Sequence, residues 1–184
     1  MAKWFFEPGH TEVEFRARHM MVSWVRGLFK NVTGTLEFDP AEPAKMSFET
    51  KIEATTLWTG VQQRDDHLRS ADFLDVEHFP TISYKSTSVR PRSEHEYVVE
   101  GDLTLRGVTH NVPLEVAYLG QWDTPWWEDG VDKGPRRRAG FTARARIDRY
   151  DFGVNWNDAV PNGGVVVSPE IELRIDVEAV LEGP

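Results

Sequence analysis

Cysteine is absent from the 184 residues. That excludes disulfides, thiolate zinc sites and a thiol nucleophile, while leaving the redox compartment open. Long apolar runs are also lacking: the longest is Val116 to Leu119, where a membrane-spanning helix needs about 20 residues. Cations are in the minority, with 21 Lys and Arg against 30 Asp and Glu and a net charge of -9. A field of that sign repels phosphates, so no nucleic-acid partner is expected. The six histidines form no HxH or HExxH pattern, and without thiolates no specific metal site is expected. No serine lies in a GxSxG elbow, the usual seat of a hydrolase nucleophile. Between Met1 and Met20, the polar residues Lys3, Glu7, His10, Glu12, Glu14, Arg16 and Arg18 interrupt any secretory apolar core. The chain as written is therefore expected in the cytoplasm.

What is present is a globular composition, 40% hydrophobic and 28% charged, of a length that fits one domain over residues 1–184. The dominant pattern has period two. Ile171, Leu173, Ile175, Val177, Ala179 and Leu181 alternate with Glu172, Arg174, Asp176, Glu178 and Glu182, as a half-buried antiparallel strand requires. Val13, Phe15 and Ala17 repeat the pattern, as do Phe48, Thr50 and Ile52. It recurs at Tyr97, Val99, Gly101, Leu103 and Leu105, and at Phe141, Ala143, Ala145 and Ile147. Adding segments 28–39, 80–92 and 112–122 gives about eight strands, several of them long. Eight such strands with one apolar face can close into a barrel, whose interior is either packed or holds one small ligand; an open sandwich is the competing arrangement.

Two stretches depart from alternation. His19 to Val25 reads as a short helical turn. Thr59 to Ser70 reads as a helix across one barrel end, with Thr59 and Gln62 at capping-box spacing. Segments 123–140 and 153–169 gather Gly, Pro, Asn and Asp, as long loops do.

Several words in the sequence belong together. Arg64-Asp65-Asp66-His67-Leu68-Arg69-Ser70-Ala71-Asp72-Phe73-Leu74-Asp75 with His78-Phe79-Pro80-Thr81-Ile82 resembles the hallmark of the YceI-like proteins. So does Gly101-Asp102-Leu103-Thr104-Leu105-Arg106-Gly107-Val108-Thr109-His110. Gly9-His10-Thr11-Glu12-Val13-Glu14-Phe15 and Ile147-Asp148-Arg149-Tyr150-Asp151-Phe152-Gly153 complete a set that spans nearly the whole chain in order. The resemblance implies an all-β, eight-stranded antiparallel lipocalin-like β-barrel with a short helix across one end. It further implies a homodimer whose barrels bind, store or transport an amphiphilic isoprenoid-type lipid, such as a polyprenyl quinone or its precursor, with no separate cofactor. Thr11 stands where serine is usual, and the insert with Trp126, Trp127 and Arg136 to Arg138 departs from the family pattern.

On that basis the expected tail-binding lining is Phe15, Met20, Met21, Trp24, Phe48, Ile52, Leu103 and Phe141; methionine suits a wall that adapts to a flexible chain. The same residues could equally form an ordinary core. Arg64, Asp65 and His67 offer a lipid head group a cation, an acceptor and an imidazole, or else tie the helix to the barrel through Asp151 or Arg149. An enzyme performing proton transfer or hydrolysis, with Asp65 orienting His67, is the alternative class. A third is an interaction module in which Trp122, Trp126, Trp127 and Arg136 to Arg138 meet a protein partner or make a peripheral membrane contact, against a hairpin whose tryptophans fold onto the barrel.

Overall fold

The structure, a computed structural model, describes residues 1–183. In chain order the strands are β1 (Ala2–Phe6), β2 (Glu12–His19), β3 (Ser23–Phe29), β4 (Val32–Phe38), β5 (Ser47–Glu53), β6 (Thr81–Pro91), β7 (Glu96–Leu105), β8 (Val108–Asn111), β9 (Leu114–Glu128), β10 (Val131–Asp148), β11 (Ala159–Val160), β12 (Gly164–Val165) and β13 (Val167–Leu181). One α-helix, α1 (Gln62–Arg69), lies between β5 and β6.

The sheet closes. Antiparallel pairing runs β1-β4-β5-β6-β7-β9-β10-β13 and returns to β1 through Trp4↔Leu181, Phe5↔Val180 and Phe6↔Ala179. Closure leaves this circuit of eight strands without an edge, which removes the sandwich alternative. The long β13 is shared at its two ends: its C-terminal part pairs with β1, and its N-terminal part pairs with β2 from Asp176↔Glu12 back to Val167↔His19. Where the chain passes from β1 to β2, the buried Thr11 hydroxyl donates to the Glu178 carbonyl and accepts from the Glu178 amide, at 3.4 and 3.3 Å. A hydroxyl is thus needed at position 11, and threonine supplies it as well as serine.

The inward parity of each strand builds the core. Val13, Phe29, Val32, Leu36, Phe38, Ile52, Ile82, Tyr97, Val99, Leu103, Phe141 and Ala143 are all buried, and each burial of a large apolar side chain contributes about 1.5–3 kcal/mol. At one end Phe38, Tyr118 and Phe141 pack ring against ring with centroids 4.9 to 5.3 Å apart and close the barrel.

Three local expectations are corrected. Segment 19–25 is the reversal of a β-hairpin, because Met20 and Met21 take φ of 49° and 63°, left-handed values that turn β2 back onto β3. The capping box does not form: Gln62 donates to Asp66, while the Asp65 carboxylate accepts from the Thr59 amide at 2.9 Å and from its hydroxyl. Segment 123–140 is a continuation of strand, since β9 and β10 run on past the barrel to a tight turn at Asp129-Gly130. Both turn residues have positive φ, 50° and 77°, the geometry that favours Asp-Gly in two-residue hairpins. On this hairpin the guanidiniums of Arg136 and Arg138 lie over the Trp126 ring, Trp127 stands exposed, and Trp122, though more than half exposed, folds back against Gly120 of β9.

Candidate functional site: an apolar tunnel with a cationic mouth

The barrel is hollow. A narrow chamber of about 110 Å³ lies toward the end closed by Phe38, Tyr118 and Phe141. Its walls come from inward positions of the circuit, including Phe6, Leu36, Phe48, Tyr84, Phe141 and Val177. A wider chamber of about 270 Å³ lies toward α1, walled by Phe15, Phe29, Leu68, Phe73, Leu105 and Trp156 among others. Val13, Ile52, Leu103 and Leu173 line both, so the chambers meet at this ring. Along β13 the lining runs from Val177 to Val167, about 33 Å of strand at ~3.3 Å per residue and about 25 Å of barrel axis at a tilt near 40°.

The narrow chamber is almost wholly apolar. Thr50, Thr142 and Tyr84 are the polar side chains in its wall, and the Tyr84 hydroxyl is committed to the carbonyls of Val112 and Val99, at 2.8 and 3.2 Å. Burial, reinforced by the charges of Glu100 and Asp102, pushes this phenol far above its ordinary range, so it remains a neutral donor. Water in such a space would find few partners. Left unfilled, about 110 Å³ would cost roughly 2–3 kcal/mol in lost contacts.

The polar side chains of the wide chamber gather at its outer end. They are His19, Arg64, His67 and Arg149, with no carboxylate among the lining residues described; Arg18 borders the chamber too, but its guanidinium lies over Trp24 on the outer face. Each is placed by local structure. β2 ends at Arg18 and His19, whose parity continues that of Arg16 and Ala17. Opposite, Gly27 of β3 lies under the Phe15 ring and against Thr59; a Cβ there would fall 2.4 Å from the ring and 2.8 Å from the Thr59 methyl. Only glycine allows residues 57–61 to approach β3 so closely. Thr59 then receives Arg64, whose Nε donates to its hydroxyl at 2.7 Å and Nη2 to its carbonyl at 3.0 Å. His67 shares Nε2 with Asp72 at 2.9 Å and stands edge-on to Phe73 and Trp156.

Arg149 is 3% exposed and meets carbonyls in place of a carboxylate. It donates to Val154 at 2.5 Å, Trp156 at 2.9 Å, Ser168 at 3.0 Å and Val167 at 3.2 Å. Desolvation lowers its pKa against the opposing pull of Tyr150 and Asp148, but a guanidinium stays charged in proteins. A buried cation hydrogen-bonded to carbonyls and not to a carboxylate projects positive potential into the chamber beside it.

The model of the YceI-like domain matches residues 4–179. The chain belongs to the YceI-like family. It is 40% identical over 174 residues to Protein YceI of Escherichia coli O157:H7, covering 95% of this chain and 83% of that one. The fold is similar to that of the Campylobacter jejuni YceI protein, with a TM-score of 0.73 at 25% identity over 90% of each chain. It is also similar to a polyisoprenoid binding domain from Saccharophagus degradans, with a TM-score of 0.62 over 98% of this chain and 99% of that one; at 10% identity this likeness concerns the fold alone.

In this YceI-like barrel, Phe15, Phe48, Ile52, Leu103 and Phe141 line the tunnel as expected from their parity. Met20, Met21 and Trp24 do not. The methionines form the exposed hairpin turn, and Trp24 pairs with Arg18 on the outer face, where the guanidiniums of Arg16 and Arg18 lie 4.5 and 4.6 Å from its ring. Arg64 and His67 reach the mouth, but Asp65 turns away, 2% exposed and bonded to Thr59. The tie to Asp151 or Arg149 is replaced by Thr59, and Asp65 does not orient His67. Arg149 and His19 also line the mouth, and the sequence pattern does not single them out. The one signal Arg149 carries is that it continues the inward parity of Phe141, Ala143, Ala145 and Ile147.

One further cluster lies on the outer surface. Ligand atoms of Glu7, His10 and Glu178 approach within 4.8 Å of one another. Arg138 Nε sits 2.6 Å from Glu178, so a cation already occupies this acidic pair.

Proposed function

We propose that this YceI-like protein binds and carries an amphiphilic isoprenoid-type lipid, without chemical turnover. The tail occupies both chambers and the head group rests among His19, Arg64, His67 and Arg149. The carrying observation is the polarity of the tunnel: almost wholly apolar and uncharged from the closed end through the ring at Leu103, then cationic or imidazole-bearing only at the mouth. A guest that is oily at one end and rich in oxygen acceptors at the other matches that gradient. A tail of some forty carbons at about 0.3 kcal/mol per heavy atom could reach roughly nanomolar affinity.

Carriage is supported over catalysis by the lining. Among the described residues, the wide chamber presents no carboxylate, serine or threonine, so His67 has no nucleophile to activate and no acid facing it across the chamber. The polyisoprenoid binding domain of Saccharophagus degradans has the same fold and is in keeping with this reading.

The test is native mass spectrometry of protein purified from a lipid-containing host, followed by organic extraction. The expected result is a complex heavier than the polypeptide and the release of a prenyl lipid of defined mass. Protein that repeatedly emerges at the mass of the polypeptide alone would overturn the proposal.

A further inference from the structure

The β2–β3 turn presents Met20, Met21 and Val22 to solvent at 46, 55 and 79% exposure. Three consecutive exposed apolar side chains are costly on a surface otherwise dense in charge. The two methionines also occupy left-handed backbone positions, where asparagine or glycine would be the inexpensive choice. Met21 rests in part against Gly164 and is still 55% exposed. The position of the turn supplies a reason for apolar side chains there. The turn adjoins the tunnel mouth: Arg18 and His19, immediately before it, line the wide chamber, and the Met20 amide donates at 2.8 Å to Val166, another lining residue. Beyond β3 the described residues do not continue the sheet as a strand; a single bridge joins Leu28 to Trp58, a few residues before α1, and Val61 at the start of that helix is exposed.

Charge is distributed to match. The chain carries -9 overall, yet His19, Arg64 and His67 stand at this mouth above the buried Arg149, with Arg18 on the outer face beside the turn and Arg26 exposed on β3. Asp158, whose carbonyl accepts from Val166, and Asp72, bonded to His67, are acidic neighbours. An anionic surface would repel the body of the protein and attract this end, turning the mouth toward it.

We propose that the Met20-Met21-Val22 tip and the adjoining cations form a docking lip that seats the barrel mouth on an anionic lipid bilayer, from which the protein takes its ligand. The inference rests on the carrier reading, because a prenyl lipid dissolves in bilayers and hardly in water. Apolar side chains entering the headgroup boundary beside basic residues are the usual means by which a surface contact of this kind is held.

Transfer and affinity separate the two claims. Lipid-free protein is mixed with a dansyl-labelled geranylgeranyl lipid presented either in detergent micelles or in vesicles of phosphatidylcholine with a minority of phosphatidylglycerol. The double variant Met20→Asn/Met21→Asn removes both thioethers and places a residue that tolerates positive φ at each position, so the hairpin is retained. Its uptake from vesicles is expected to be about tenfold slower than the parent's, with vesicle co-sedimentation reduced in parallel. Its equilibrium affinity from micelles is expected to match the parent's. Parent uptake is expected to fall when phosphatidylglycerol is omitted. Equal vesicle uptake by variant and parent would overturn the docking lip, as would parental rates on neutral vesicles. So would loss, in the variant, of self-association seen by sedimentation, which would assign the tip to contact between copies. Failure of the parent to bind the probe even from micelles would instead count against the carrier reading.

Discussion

Ile52→Phe tests whether the two chambers act as one. Ile52 is inward on β5 between Val32 and Ile82 and belongs to the ring shared by the chambers. A phenyl ring there intrudes on the passage toward the narrow chamber, which holds under a third of the combined space. If one five-carbon isoprene unit is thereby excluded, the loss at about 0.3 kcal/mol per heavy atom is ~1.5 kcal/mol, or roughly tenfold in Kd. Tails short enough to lie in the wide chamber lose nothing. Calorimetric titration of parent and variant with prenyl alcohols of increasing length should therefore give superimposable Kd values for short tails and a gap opening with length. Overpacking costs about 1–3 kcal/mol of stability, and each kcal/mol lowers Tm by about 2–4 °C at this size, so the variant remains folded at assay temperature. An equal loss at every tail length, or no loss at the longest, would refute a continuous tunnel.

Three other outcomes follow from the mouth and the helix. Arg149→Ala leaves the carbonyls of Val154, Trp156, Val167 and Ser168 without their donor; thermal denaturation should register a loss of about 3–5 kcal/mol. Arg64→Met should weaken a prenyl phosphate about tenfold or more while leaving the prenyl alcohol unchanged, because Asp65 still holds Thr59; equal losses for both would remove Arg64 from the head-group site. His78 is raised above 6.5 by its hydrogen bond to Asp75 and then by that carboxylate's charge. Its contribution to stability is complete below pH 6.5 and fades as pH rises through the raised value. Asp75→Asn should flatten that segment of the stability–pH curve, and an unchanged slope would show the pair to be inert.

Strand parity makes most of the barrel legible in the sequence. From Ile171 to Leu181, and again from Phe141 to Ile147, alternation identified which side chains face the interior, and five of the eight expected tail contacts lie there. The failures share a physical cause. Met20, Met21 and Trp24 are apolar residues outside the alternation, and hydrophobicity alone assigned them to the interior. A turn with positive φ exposes the methionines, and two guanidiniums cover the tryptophan from outside. Segment 123–140 concealed its strands because Pro125, Pro135 and the glycines look like loop residues, yet a hairpin rising beyond the barrel has free edges and tolerates them. Arg149 was overlooked because arginine at an inward position is unfavourable until nearby carbonyls gather around it, and those come from residues 154–168, which a linear pattern does not bring together. Asp65 looks in the sequence like its neighbours Arg64 and His67, which line the chamber, but the turn at Thr59 claims its carboxylate.

The central claim is a lipid threaded through the barrel. It is tested most directly by a crystal structure of the protein saturated with a long-chain prenyl phosphate. Electron density for the tail should run unbroken past Val13, Ile52, Leu103 and Leu173 into the chamber floored by Phe141, with the phosphate within hydrogen-bond reach of Arg64. A tail lying on the outer surface, or the two chambers collapsed onto their own side chains while ligand sits elsewhere, would contradict it.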